Sequence, residues 1–192
     1  MLIDDCVALL QARDIQLEPG LSPDELSEIE IRFEFEFSTD HRNLLERVLP
    51  VGNPWVNWRE ESDESIRDRF DVARGILFDV ENDAFWPETW GIKPTSVAQQ
   101  LTIAAEQVSR WPRLVPLFGH RYMPAAPAPT GSPVFSVHQT DVIPYGDNLL
   151  DYLRQEFGPV DRDYPRRPFT PEVYDVWTQL VFGEDPPYFE SR

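Results

Sequence analysis

Three side chains of metal-ligand type lie close together in the chain: His120, His138 and Asp141. Two imidazoles and a carboxylate form a minimal metal site if the segments 114–123 and 133–143 pair as a hairpin. In that hairpin His120 sits at a turn and His138 at a strand end. Scattered ligand-type residues are common by chance and ordinary hydrogen-bonded histidines are the simpler account, so no metal and no cofactor are expected. Asp79, Glu81 and Asp83 alternate out of an expected strand, and paired carboxylates could do acid–base work. No basic or metal-binding residue lies near them in sequence, so a solvated strand end is the simpler account. Cys6 stands beside Asp4 and Asp5, which raise a thiol pKa and make it a poor nucleophile.

Other catalytic signatures are missing. The chain has no phosphate-cradling Gly-rich loop ending in Lys-Ser/Thr, no Gly-x-Gly-x-x-Gly, no His-Glu-x-x-His and no Gly-x-Ser-x-Gly. The expectation is a protein that is not an enzyme and has no catalytic residues.

Recognition chemistry is better represented. Trp55, Trp58, Phe85, Trp86 and Trp90 all fall in expected loops, with Arg59 beside Trp58. Loop tryptophan next to arginine is the composition of binding hot spots. The competing account is that these loops fold back as lids on the core, since large aromatics are mostly buried. The candidates for partner contact are Trp55, Trp58, Arg59, Asp79, Glu81, Phe85, Trp86 and Trp90, with the loops 53–59 and 83–91 forming one surface.

The elements that must position these residues follow from periodicity. Ile3, Val7 and Leu10 predict an N-terminal helix over 2–11. Ser22, Pro23 and Glu25 are the cap, first-turn proline and capping-box partner of a second helix, with Leu26, Ile29 and Phe33 inward. The alternation from Arg32 to Phe37 predicts a short extended stretch, and Ser38 caps a third helix. Residues 62–72 read as a polar helix, and 75–80 as the first strand. Pro94 to Ser96 start the longest helix, with Val97, Leu101, Ala104, Val108 and Trp111 as its stripe. Strands are expected over 114–118, 121–123, 134–138 and 141–143, with Pro144 at a strand end. A helix follows over 147–157, then a proline-bearing linker over 158–168. A last helix opens at Thr170-Pro171 and stops at Gly183.

Helices first, closely spaced strands in the middle and helices again predict an α+β fold, with a mixed, largely antiparallel central sheet and helices packed on it. A chain of 192 residues implies one domain. Residues 1–157 are read as that domain, and 158–192 as a linker and C-terminal helix packing on it. A hydrophobic content of 41% suits a globular protein.

The single cysteine fits a reducing compartment, there is no long apolar run, and Met1 to Asp5 lacks a basic leader. A cytoplasmic location is expected. Lys+Arg number 17 against 34 for Asp+Glu, a formal net charge of -17. That field repels nucleic acid and anionic membrane and favours a basic protein partner, although acidity also serves solubility alone.

Four stretches together resemble the SUKH superfamily, the group that includes the fungal cell-wall-synthesis regulator. They are Leu21 to Leu26 running through Ile29, Phe33 and Phe35-Glu36-Phe37 to Leu44-Leu45; Gly75 to Asp79 with Phe85-Trp86 and Trp90-Gly91; Leu114 to Gly119; and Pro133 to Val137 through Tyr145-Gly146 to Leu153. The likeness spans about residues 20 to 157, and lies in their order and spacing. It implies an α+β fold with a mixed sheet and a noncatalytic protein-binding role. Many bacterial members of that superfamily are immunity proteins that neutralise secreted toxins, and fungal members are regulatory scaffolds. The expected function is therefore toxin neutralisation by a bacterial immunity-type protein. The alternatives are a regulatory scaffold with an endogenous partner and, behind it, a metal-assisted hydrolase using His120, His138 and Asp141.

Overall fold

In a computed structural model of the chain, residues 2–158 and 175–189 are described. The fold is α+β. Among the described residues there are eight α-helices and two sheets, both antiparallel rather than mixed. Chain contacts divide the protein into two compact units whose segments alternate along the sequence. The first holds residues 2–70, 113–136 and 144–158, and the second holds 71–112, 137–143 and 175–189.

In the first unit, α1 (Leu2–Ala12) buries Cys6 and Leu10. Ile3 and Val7 on the same helix are half-buried. A strand pair missed in the sequence joins β1 (Leu17–Pro19) to β2 (Val48–Pro50). Helix α2 (Pro23–Phe33) has the expected capping box, Ser22 Oγ taking the Glu25 N–H and Glu25 taking the Ser22 N–H. It ends where Glu34 turns left-handed, at φ 59°. Residues 35–38 are irregular, so the alternation from Arg32 to Phe37 gives no strand. Helices α3 (Thr39–Arg47) and α4 (Asp63–Phe70) follow. Strand β3 (Leu114–Phe118) pairs with β4 (Arg121–Pro124) across Gly119-His120, and β4 pairs with β5 (Val134–His138). Strand β6 (Asp141–Gly146), whose residues 141–143 belong to the second unit, completes the order β3-β4-β5-β6. It runs through Pro144, which therefore lies inside the strand and not at its end. Helix α7 (Leu149–Phe157), capped by Asn148, buries Leu149, Tyr152 and Leu153.

In the second unit, residues 72–81 form helix α5 (Val72–Glu81) and not the expected strand. Asp71 caps it by accepting the Arg74 N–H at 3.1 Å. A continuous apolar run does not distinguish a buried strand from a helix, so periodicity could not decide between them. Helix α6 (Val97–Val108) packs beside α5. Its buried face is Gln100, Ala104, Gln107 and Val108, while Val97 is exposed. The last described helix, α8 (Val176–Val181), is capped by Asp175. The expected linker from 159 onward and the opening at Thr170-Pro171 lie outside the described residues.

Candidate functional site

The tryptophans at 55 and 58 are core residues, which corrects the expectation that they form a binding surface. Trp58 is buried among Phe33, Phe35, Phe37 and Phe70, with the Phe37 centroid 5.2 Å away. Trp55 meets Phe118 edge-on at 4.8 Å and stacks on Phe157 at 5.6 Å. Both are 6% exposed or less. Arg59 is a local clamp. Its guanidinium donates to Glu25 Oε1 at 2.7 Å, to Pro19 O at 2.7 Å and to Gly20 O at 2.8 Å. That contact, followed by the Ser22 N–H, holds the Glu25 carboxyl down at about 2. The loop 51–60 thus closes the core of the first unit, because its apolar rings have nowhere drier to go.

Asp79 is also structural. It is buried, and its Oδ2 accepts the Thr140 N–H at 3.0 Å and the Thr140 hydroxyl at 2.6 Å. It pins the β5–β6 turn to α5, where a Cβ on Gly75 would stand 3.1 Å from Gln139 Cα. Glu81 is exposed in the last turn of the same helix. The two carboxylates leave a helix end, not a strand end.

The segment 82–93 keeps aromatic and apolar side chains partly or wholly exposed. Asn82 caps α5 and its side-chain amide donates to Phe78 O at 2.8 Å. Asp83 turns left-handed at φ 63°, and the Ala84 N–H returns to Asp79 O at 2.8 Å. The chain then runs outward through Phe85 and Trp86, both half-buried, into a 3-10 turn over Glu88–Trp90. Trp90 is buried and receives Phe85 and Trp86 edge-on at 5.6 and 5.5 Å. Beneath it the aromatic series continues to Trp111 and Trp177, the latter donating from Nε1 to Pro112 O at 2.6 Å. Trp90 is thus a lid, and Phe85 and Trp86 are its partly wet rim.

Two further ties hold this segment still. Trp86 Nε1 donates to Gly91 O at 2.9 Å. The Lys93 ammonium, 5.9 Å from the Trp86 ring centroid, is paired with Asp83. The C-terminal strap binds it from the other side: the Glu88 N–H donates to Asp185 Oδ2 at 2.6 Å, and the Thr89 hydroxyl donates to Pro186 O. Gly91 bends the chain at φ 80° and leaves Ile92 98% exposed. Among the described residues, six of the seven exposed large apolar side chains belong to the second unit, Ile31 being the exception.

No group of three or more His, Cys, Asp or Glu side chains among the described residues is arranged to hold a metal ion. His120, His138 and Asp141 are exposed. Cys6 is fully buried, and burial, then Asp40 and Asp5, push its thiol up to about 12. No helix among the described residues is long and apolar enough to cross a membrane.

Among the buried polar groups that sequence reasoning missed are His41 and Arg121. His41 is 1% exposed, lies edge-on to Phe37 at 4.9 Å and has no partner for either ring nitrogen. Arg121 is buried, donates to Ser136 Oγ at 3.0 Å, lies 3.3 Å from Glu156 and sits 3.8 Å over the Tyr145 ring. His41 stands three residues after Ser38, which occupies the N-cap position of α3 without a side-chain cap hydrogen bond, and Arg121 occupies a strand beside apolar neighbours. Inward charge on a mostly apolar strand was the one available signal for Arg121. Ile92 had none, because an isolated isoleucine after a glycine is unremarkable in sequence.

No protein-family model, curated protein or solved structure matches the chain.

Proposed function

We propose that the protein is a noncatalytic protein-binding module whose leading role is to neutralise a toxin, and that the 83–93 segment is its contact surface. One observation carries the reading: Ile92 is almost wholly exposed on a segment whose aromatic base is held by Trp90, the Trp86–Gly91 hydrogen bond and the C-terminal strap. Interfaces draw most of their energy from a few apolar and aromatic anchors ringed by polar groups. An anchor fixed before binding loses little conformational entropy on contact. The sequence resemblance to the SUKH superfamily points to the same class of function, with toxin neutralisation as its bacterial form.

The net charge of -17 selects the partner's chemistry. A basic toxin domain is drawn toward so acidic a chain, and its association slows as the Debye length shrinks from about 30 Å at 0.01 M salt to about 8 Å at 0.15 M.

The test pairs this chain with a toxin domain encoded beside its gene. Co-expression with the wild type protects the host cell, and the purified pair forms a complex whose association rate falls with salt. Ile92→Asp loses protection and complex formation while its melting temperature stays that of the wild type. Protection that survives Ile92→Asp overturns the surface, and a wild type that neither binds nor protects overturns the function.

A further inference from the structure

Helix α5 presents a second stripe to solvent, separate from the 83–93 surface. Arg74, Phe78 and Glu81 are spaced four and three residues apart, so they fall on one face of the helix. All three are exposed. The Arg74 side chain is 70% exposed and Phe78 is 52% exposed. The stripe borders an open groove of about 630 Å³ between α5 and α6. Leu77 and Leu101 line its apolar part, and the short side chains of Thr102 and Ala105 on α6 keep it open. A half-exposed phenylalanine beside an unfilled apolar groove is a surface that association would dry.

The order of charges along the stripe identifies what fits. Arg74 lies near the N-terminal end of α5, Glu81 is its last residue, and the midpoint between them falls between Leu77 and Phe78. With a rise of about 1.5 Å per residue, each charge stands about 5 Å along the axis from that midpoint. A stripe with a cation at one end, apolar groups in the middle and an anion at the other is its own complement. Turned through a two-fold axis at the midpoint, Arg74 faces Glu81 of the second copy, and Glu81 faces Arg74. The two Phe78 rings meet at the axis, each beside the groove of the other copy. Isologous contacts require this self-complementarity.

A basic foreign partner suits the stripe less well, because Arg74 would meet like charge. From this we infer that α5 and the α5–α6 groove form a homodimer interface whose occupant is a second copy of this chain. Arg74 already pairs with Asp71 at 3.1 Å within its own helix. In the dimer the guanidinium lies between Asp71 of its own chain and Glu81 of the other. The long-range repulsion between two acidic chains is screened at physiological salt, whereas the paired ends act at contact.

Sedimentation equilibrium of the full chain, without any partner, tests this. The wild type is a reversible dimer at 0.15 M salt. Phe78→Ser gives a monomer. Arg74→Glu and Glu81→Arg each set like charges opposite one another at both ends of the interface, and each weakens dimerisation about tenfold or more. The double variant R74E/E81R restores opposite charges at both ends and recovers the dimer. Each of the two charge changes suits its own end of the helix dipole, and because Arg74→Glu also gives up the pair with Asp71, a melting curve of each variant checks that the monomer folds. A monomeric wild type overturns the inference, and so does a dimer indifferent to Phe78→Ser or a double variant no better than either single one. Toxin capture through Ile92 is read separately and survives any of these results.

Discussion

Gln107 and Phe189 hold each other by a reciprocal pair of hydrogen bonds. The side-chain amide donates from Nε2 to Phe189 O at 2.9 Å, and the Phe189 N–H donates to Gln107 Oε1 at 2.7 Å. Gln107 is buried in α6, so the strap 184–189 is anchored from below as well as at Glu88 and Thr89. A buried primary amide could not be tolerated without both partners.

Gln107→Ala removes both bonds and leaves the Phe189 main chain unpaired. The expected cost is about 1–3 kcal/mol of stability. Amide exchange at residues 185–189 should accelerate more than exchange in α6. Uniform acceleration along both would mean that the strap unfolds only with the whole unit.

Trp58→Ala and Ile92→Asp separate core from surface. Trp58 fills space among four phenylalanines, and its loss should cost roughly 3–5 kcal/mol. Ile92 contacts solvent on nearly all sides, and its replacement should leave thermal unfolding within about 0.5 kcal/mol of the wild type. A strong loss of stability in Ile92→Asp would show that this side chain is a packing residue after all.

His41 sets an acid limit on stability. Burial pushes its imidazole down to about 3, against about 6.5 in the unfolded chain. Between those values the unfolded chain binds the proton and the folded chain does not, so stability rises with pH and is lost as pH falls. Carboxylates held low in the fold, Glu25 among them, act with the same sign from about pH 5.5 downward. From pH 6.5 to 5.5 the histidine therefore leads the loss, and about 1 kcal/mol should disappear across that interval. Urea unfolding of His41→Leu should show a flat profile over the same interval. A wild-type profile already flat there would mean that His41 gains a proton in the folded state.

Cys6 should be silent to thiol reagents in the native protein at pH 8, since burial and nearby carboxylates keep it protonated. Its modification should track global unfolding in denaturant. The folded pKa lies above the unfolded one, so this thiol's contribution is complete below about pH 8.5 and declines as pH rises toward about 12.

Local chemistry alone determined several elements. Ser22, Pro23 and Glu25 specify the start of α2 because each satisfies a helix-end group without help from elsewhere. Gly119 marks the β3–β4 turn because it takes a left-handed backbone, φ 54°, that costs a glycine nothing, and the α+β class followed from the order of such local signals. Tertiary structure decided the rest. The run from Gly75 to Val80 is helical because Asp71 caps it and α6 packs beside it, while its apolar pattern also suited a strand. Trp55 and Trp58 resembled a binding site in sequence, but the rings packed around them made them core. Trp86 kept a wet edge while Trp90, edge-on to it, took the buried place, and Ile92 was left exposed after the bend at Gly91. Composition fixes how much apolar surface a chain carries, but burial depends on neighbours that lie far away in sequence, and only the packed fold brings those neighbours together.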